Sequence, residues 1–152
     1  MPATRSTLIT TLTYKDRRAA ITWLEKAFGF ETTMLLETPS GEIAHCEMKL
    51  GDGAISVGSE WAEPYRSPAS IGGWCTQNLH VQIDEDVDAH CARARAAGAV
   101  ITAEPETQFY GDRSYRCRDP EGHMWTVAQT VEAVSRERAE AASGLKITGW
   151  AM

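Results

Sequence analysis

The sequence predicts an α+β protein: two tandem β-α-β-β-β modules forming a curved mixed-sheet cup, followed by a C-terminal helical tail. Three observations predict it. The chain repeats itself with a shift of 69 residues, so that Asp16 to Gly29 has a counterpart ending Ala92 to Gly98. The same shift carries the turn Gly51-Asp52-Gly53 onto Pro120-Glu121-Gly122, and each turn leads into an apolar, strand-like run. Within each copy, apolar residues recur at helical spacing in one segment and alternate in the segments around it. Two such copies related by a pseudo-twofold axis enclose a pocket at their junction.

The elements follow in order. Leu8 to Tyr14 is Thr- and Leu-rich and reads as a strand. Asp16 caps a helix whose apolar positions are Ala20, Ile21, Leu24 and Phe28, and Gly29 closes it. Thr32 to Glu37 and Glu42 to Leu50 are strands around the turn Pro39-Ser40-Gly41, and Gly51-Asp52-Gly53 makes a hairpin with Ala54 to Ser59. In the second copy, Asn78 to Asp84 is a strand, Asp86 to Ala97 a helix closed by Gly98, and Ala99 to Ala103 and Arg113 to Arg118 are strands. Asp119-Pro120-Glu121-Gly122 has the pattern of a type I turn before the last strand, His123 to Gln129. Val131 to Ser143 reads as a short surface helix, and Leu145 to Met152 as a segment that docks on the body or on a second subunit. The expected division is therefore 1–60, a connecting loop 61–76, 77–130, and a tail 131–152.

Composition excludes several functions. A net charge of −6 without a Lys/Arg cluster argues against a nucleic-acid groove. No window approaches a membrane span and no leader is evident. Four cysteines without Cys-x-x-Cys spacing predict free thiols in a reducing cytoplasm, with Cys46 and Cys91 simply packing.

The stretch Tyr110 to Trp125, with its Asp-Pro-Glu-Gly turn, resembles the vicinal-oxygen-chelate superfamily of glyoxalase I, extradiol dioxygenases and fosfomycin- and bleomycin-resistance proteins. So do Ala20-Ile21 with Ala27 to Phe30, and Asp86 to His90. The resemblance covers Leu8 to Gln129. It implies a ligand cup built from both modules, and in the enzymatic members a divalent metal held by His and Glu from four strands. Those ligand positions map here onto Thr126, onto Ser56 (or Val57 one register away), onto Asn78 with His80 two residues on, and onto Ile9 or Thr11. The usual ligand set is missing.

Strand parity chooses the residues that face the cup. Leu79, Val81 and Ile83 are the core set of their strand, leaving Asn78, His80 and Gln82 opposite. Ala44, Cys46, Met48 and Leu50 leave His45, Glu47 and Lys49. Trp125 and Val127 leave Thr126 and Ala128. Trp23 and Trp125 read as core aromatics. Trp61 and Trp74, on the connecting loop, either stack on a planar ligand or tuck under the loop. Arg113, near Tyr110 and Tyr115, either clamps an anionic group or joins a surface ion pair; Asp112–Arg113 and Glu121–Arg118 are the candidate pairs. His90 and His123 are expected to be exposed.

The reading that results is a small-molecule-binding protein of the bleomycin-resistance type. It is expected to be homodimeric and to have no metal or other cofactor. The candidate ligand contacts are His45, Glu47, Trp61, Trp74, His80, Gln82, Tyr110 and Arg113. The alternative is a metal-dependent lyase, isomerase or dioxygenase of the glyoxalase type, using a rearranged His45, Glu47 and His80. A third reading is a metal-independent enzyme with His80 or Glu47 as general base.

Overall fold

A computed structural model describes residues 5–150. The first module runs β1 (Ile9–Thr13), α1 (Arg17–Phe28), β2 (Glu31–Glu37), β3 (Ile43–Leu50) and β4 (Gly53–Gly58). The second runs β5 (Asn78–Ile83), α2 (Val87–Ala96), β6 (Val100–Thr107), β7 (Asp112–Arg118) and β8 (Met124–Thr130). A single 3-10 turn, Pro68–Ser70, interrupts the connecting loop, and α3 (Arg136–Ser143) follows the last strand. Residues 1–4 and 151–152, the outer ends of the expected first module and tail, lie outside the described residues.

The helix ends form where the side chains dictate. The Asp16 carboxylate accepts the Ala19 N–H at 3.0 Å, and Asp86 accepts from both Asp88 and Ala89. These bonds satisfy amides that have no partner within the helix. Gly29 ends α1 at φ 78°, a left-handed conformation that costs glycine little, and returns its N–H to the Leu24 and Glu25 carbonyls.

Each module makes one four-stranded sheet. The orders are β1-β4-β3-β2 and β5-β8-β7-β6; the β1/β4 and β5/β8 pairs are parallel and the rest antiparallel. Leu12 pairs with Val57 and Val81 with Val127, so the two sheets are the same design executed twice. One hydrophobic core spans both modules. Phe28, at the end of α1, meets Trp125 of β8 edge-on at 4.9 Å and stacks on His90 of α2 at 5.5 Å. Trp23 Nε1 donates to the Ala97 carbonyl at 2.9 Å, and Arg93 Nε donates to the Ala27 carbonyl at 3.1 Å, which ties the two helices together.

Several expectations are corrected. His90 and His123 are buried, not exposed. His90 joins Val87, Cys91 and Ala94 on the inward stripe of α2, and its Nδ1 lies 2.7 Å from the Tyr115 hydroxyl. His123 Nε2 lies 2.8 Å from the Thr13 carbonyl, its ring edge-on to Tyr14. Ala44 is exposed, because a register shift between Leu36 and Glu37 breaks the alternation at the start of β3. Ala128 is buried although parity puts it on the open side; the hydrogen-bonded Gln82, Asp112 and Thr130 close over that end of the face. β6 continues to Thr107, and α3 begins only at Arg136, where Ser135 caps it.

Candidate functional site

A cavity of about 700 Å³ lies between the modules. Phe30, Leu50 and Ile55 supply apolar wall from the first module, and Leu79, Val81 and Trp125 from the second. Thr10, His80 and Gln82 add hydrogen-bonding side chains to its lining, and Asp52, Asp84 and Glu85 add carboxylates. An apolar space of this size with few polar groups matches the form of small-molecule sites.

His80 and Gln82 belong to a chain of hydrogen bonds along the open face of the second sheet. Thr130 Oγ1 donates to Asp112 Oδ1 at 2.7 Å, and Gln82 Nε2 donates to Asp112 Oδ2 at 3.2 Å and to Thr130 Oγ1 at 3.1 Å. Asp112 is 4 % exposed, so its carboxylate is a fixed acceptor that orients the Gln82 amide. Gln82 Oε1 is thereby turned to His80 Nε2, 2.8 Å away. An amide oxygen only accepts, so His80 carries its proton on Nε2 and leaves Nδ1 as an acceptor.

The other candidates are dispersed. His45 and Glu47 share a face of β3, 3.6 Å apart, with Arg5 donating to Glu47. Trp61 stacks on Tyr65 at 5.0 Å within the connecting loop. Trp74 lines a smaller pocket of about 170 Å³ with Thr11, Thr13, Tyr65 and His123. Tyr110 packs edge-on against Phe109 at 5.1 Å. Arg113 grips not Asp112, the acid named for it, but Asp88 of α2, with bonds of 2.8 and 2.9 Å, because it shares strand parity with the core residues Tyr115 and Cys117. The Arg113 hydrogen bond holds the Asp88 carboxyl below the usual range. Of the eight candidates, His80 and Gln82 meet at the larger cavity and Trp74 lines the smaller one.

The positions that the resemblance assigns to metal ligands hold Ile9 or Thr11, Ser56 or Val57, Asn78 with His80 two residues on, and Thr126. Thr11 and Ser56 are paired across β1 and β4, and Asn78 Nδ2 donates to Thr126 Oγ1 at 3.1 Å. Neutral hydroxyls and an amide are poor ligands for zinc, nickel or iron. Among the described residues no three His, Cys, Asp or Glu side chains gather to replace them. Burial raises the thiols of Cys46 and Cys91 and pushes Cys117 up to about 12, which makes these three poor nucleophiles.

Two polar arrangements escaped the sequence reading. Asp112 gave no signal, since an acidic residue at a strand start is ordinarily solvated. The turn at Asp119 was legible as a turn, but not as a clasp. Tyr14 donates to Asp119 Oδ2 at 2.6 Å, and the Glu121 carboxylate accepts the amides of Lys15 and Asp16 at 2.7 and 2.9 Å.

Comparison with known proteins adds a lineage. The family model described as the Glyoxalase/Bleomycin resistance protein/Dioxygenase superfamily matches residues 8–127. An uncharacterized protein of Mycobacterium bovis is 29% identical over 135 residues, covering 86% of this chain and 88% of its own. The crystal structure of TioX from Micromonospora sp. ML1 is similar with a TM-score of 0.68 and 30% identity, over 85% of this chain and 100% of that one. A glyoxalase/bleomycin resistance protein/dioxygenase family enzyme from Burkholderia phytofirmans PsJN superposes with a TM-score of 0.65 at 19% identity, over 81% of this chain and 97% of that one.

Proposed function

The chain belongs to the Glyoxalase/Bleomycin resistance protein/Dioxygenase superfamily, and on that premise we propose that it binds a small organic molecule between its modules without a resident metal ion. The observation that carries this reading is the inter-module cavity of about 700 Å³. Its apolar walls supply affinity by removing a ligand's apolar surface from water, at roughly 25 cal/mol per Å² of surface buried before the cost of association. His80 supplies orientation, because its Nδ1 is a directed acceptor. Thr10 and Gln82 add further hydrogen-bonding groups to the lining.

The protein acts as a homodimer in this reading. Met34, Leu35 and Leu36 lie exposed on β2, the far strand of the first sheet, and such a strand is a natural place for a second copy to pack. A reducing, cytoplasmic setting is supported by four free cysteines, three of them buried.

The test is direct. After incubation with nickel, zinc, iron and manganese and extensive dialysis, elemental mass spectrometry is expected to find far less than one metal per chain. Thermal-shift screening of the same sample against small aromatic molecules is expected to yield stabilising ligands. Near-stoichiometric retained metal would overturn the reading in favour of a metal-dependent lyase, isomerase or dioxygenase.

A further inference from the structure

The two flanks of the pseudo-twofold axis are closed differently. On one flank, the connection from β1 to α1 is clasped by the β7–β8 turn. Tyr14 donates to Asp119, Glu121 accepts two backbone amides, and His123 reaches the Thr13 carbonyl. The equivalent flank sets the connection from β5 to α2 against the β3–β4 turn, and there the cavity opens instead.

The repeat explains the difference residue by residue. The matched strand registers take Tyr14 to Ile83 and Asp119 to Leu50, and, because Ala54 and Met124 hold the same place in β4 and β8, His123 to Gly53. The hydrogen-bonded pair becomes an apolar pair, and the imidazole that filled the flank is replaced by a glycine with no side chain. Glu121 becomes Asp52, one methylene shorter, and Lys15 becomes Asp84, which reverses a charge. No hydrogen bond among the described residues joins the Leu50–Gly53 turn to Ile83–Glu85.

What remains is an apolar slot with acidic groups at its edge. Glu85 has a counter-charge in Arg93, 3.5 Å away. Asp52 and Asp84 have no ion-pair partner among the described residues, and no Lys or Arg lines the slot. Like charges beside low-dielectric walls concentrate a negative potential on whatever enters. His80 adds an acceptor of the same preference, since Gln82 and the buried Asp112 fix its proton on Nε2. An anionic ligand would meet carboxylates and a lone pair, and a neutral hydrocarbon would leave them unused.

We infer that the slot selects a protonated amine carried on a flat apolar body. The body lies between Phe30, Leu79 and Trp125, and the ammonium group faces Asp52, Asp84 and the His80 ring. This rests on the reading of the inter-module cavity as a ligand site, and it names the ligand class.

The test uses three probes that share one ring system: 1-naphthylmethylamine, 1-naphthalenemethanol and 1-naphthoic acid, titrated into the full chain by calorimetry at low salt. The amine is expected to bind at least about tenfold tighter than the alcohol, and the acid more weakly than either. In D52N/D84N the gap between amine and alcohol is expected to fall to about twofold or less, with alcohol binding and melting temperature unchanged. Ala54→Phe, which fills the slot, is expected to abolish binding of both. Equal binding of the three probes would overturn the charge selection while leaving the cavity reading intact. An amine preference that survives D52N/D84N would place the cation elsewhere and overturn the inference. Failure of all three probes to bind would remove both the inference and the reading beneath it.

Discussion

At the residue scale, His90 shows how one buried side chain writes itself into the pH dependence of the whole. Its Nε2 has no hydrogen-bond partner, and its ring is sealed between Phe28 and Tyr115. Burial, with Arg93 nearby, holds its pKa below the ordinary value of 6.5. The unfolded chain therefore binds a proton that the folded chain refuses, so stability rises with pH across this window. The contribution is complete above about 6.5 and is lost as the pH falls toward the lower folded value. In His90→Phe, the urea midpoint is expected to fall less than in the parent between pH 7.5 and 5, whatever the offset at neutral pH. Parallel curves for the two proteins would assign the acid sensitivity to other groups.

At the element scale, the β7–β8 turn does the work of a hinge pin between modules. The Asp119 carboxylate accepts from Tyr14, Trp125 Nε1 and the amides of Glu121 and His123, at 2.6 to 3.2 Å. Its withdrawal leaves four donors without their acceptor in a buried place, and each costs about 1–3 kcal/mol. Asp119→Ala is expected to lose at least about 3 kcal/mol in urea unfolding, with the denaturant slope unchanged. A loss under about 1 kcal/mol would mean that water substitutes freely and that the clasp is dispensable. The other end of the sheet is tied by the segment after β8. A methyl group on Gly111, which sits at φ 100°, would come within 2.1 Å of the Glu132 carbonyl, so only glycine allows that approach.

At the scale of the whole molecule, the modules are repeats in sequence but not independent in stability. Phe28 and Trp23 of the first find partners on the second, so cutting the chain between the modules strips the shared core of one side. The isolated segment 1–76 is expected to lack a cooperative urea transition by near-ultraviolet circular dichroism. A sharp transition would show that each module folds alone and that the shared core is secondary. The same coupling gives the cavity its meaning. Duplication supplies two equivalent flanks, and divergence of a few residues seals one and leaves the other open.

The sequence by itself determined the repeat, the order of strands and helices, the caps of α1 and α2, and inward residues such as Cys46, Met48, Trp125 and Val127, because these depend on local spacing and on the chemistry of single residues. It also made His80 and Gln82 neighbours on one strand face. What only the tertiary structure decided was which polar groups meet across the chain. Arg113 turned to Asp88, His90 and His123 went inside, and Asp112 and Asp119 became buried acceptors, each through a partner between 6 and 110 residues away. Periodicity records which face a residue occupies. It does not record which side chain from the other module waits there, and that pairing determines whether a flank closes or remains a cavity.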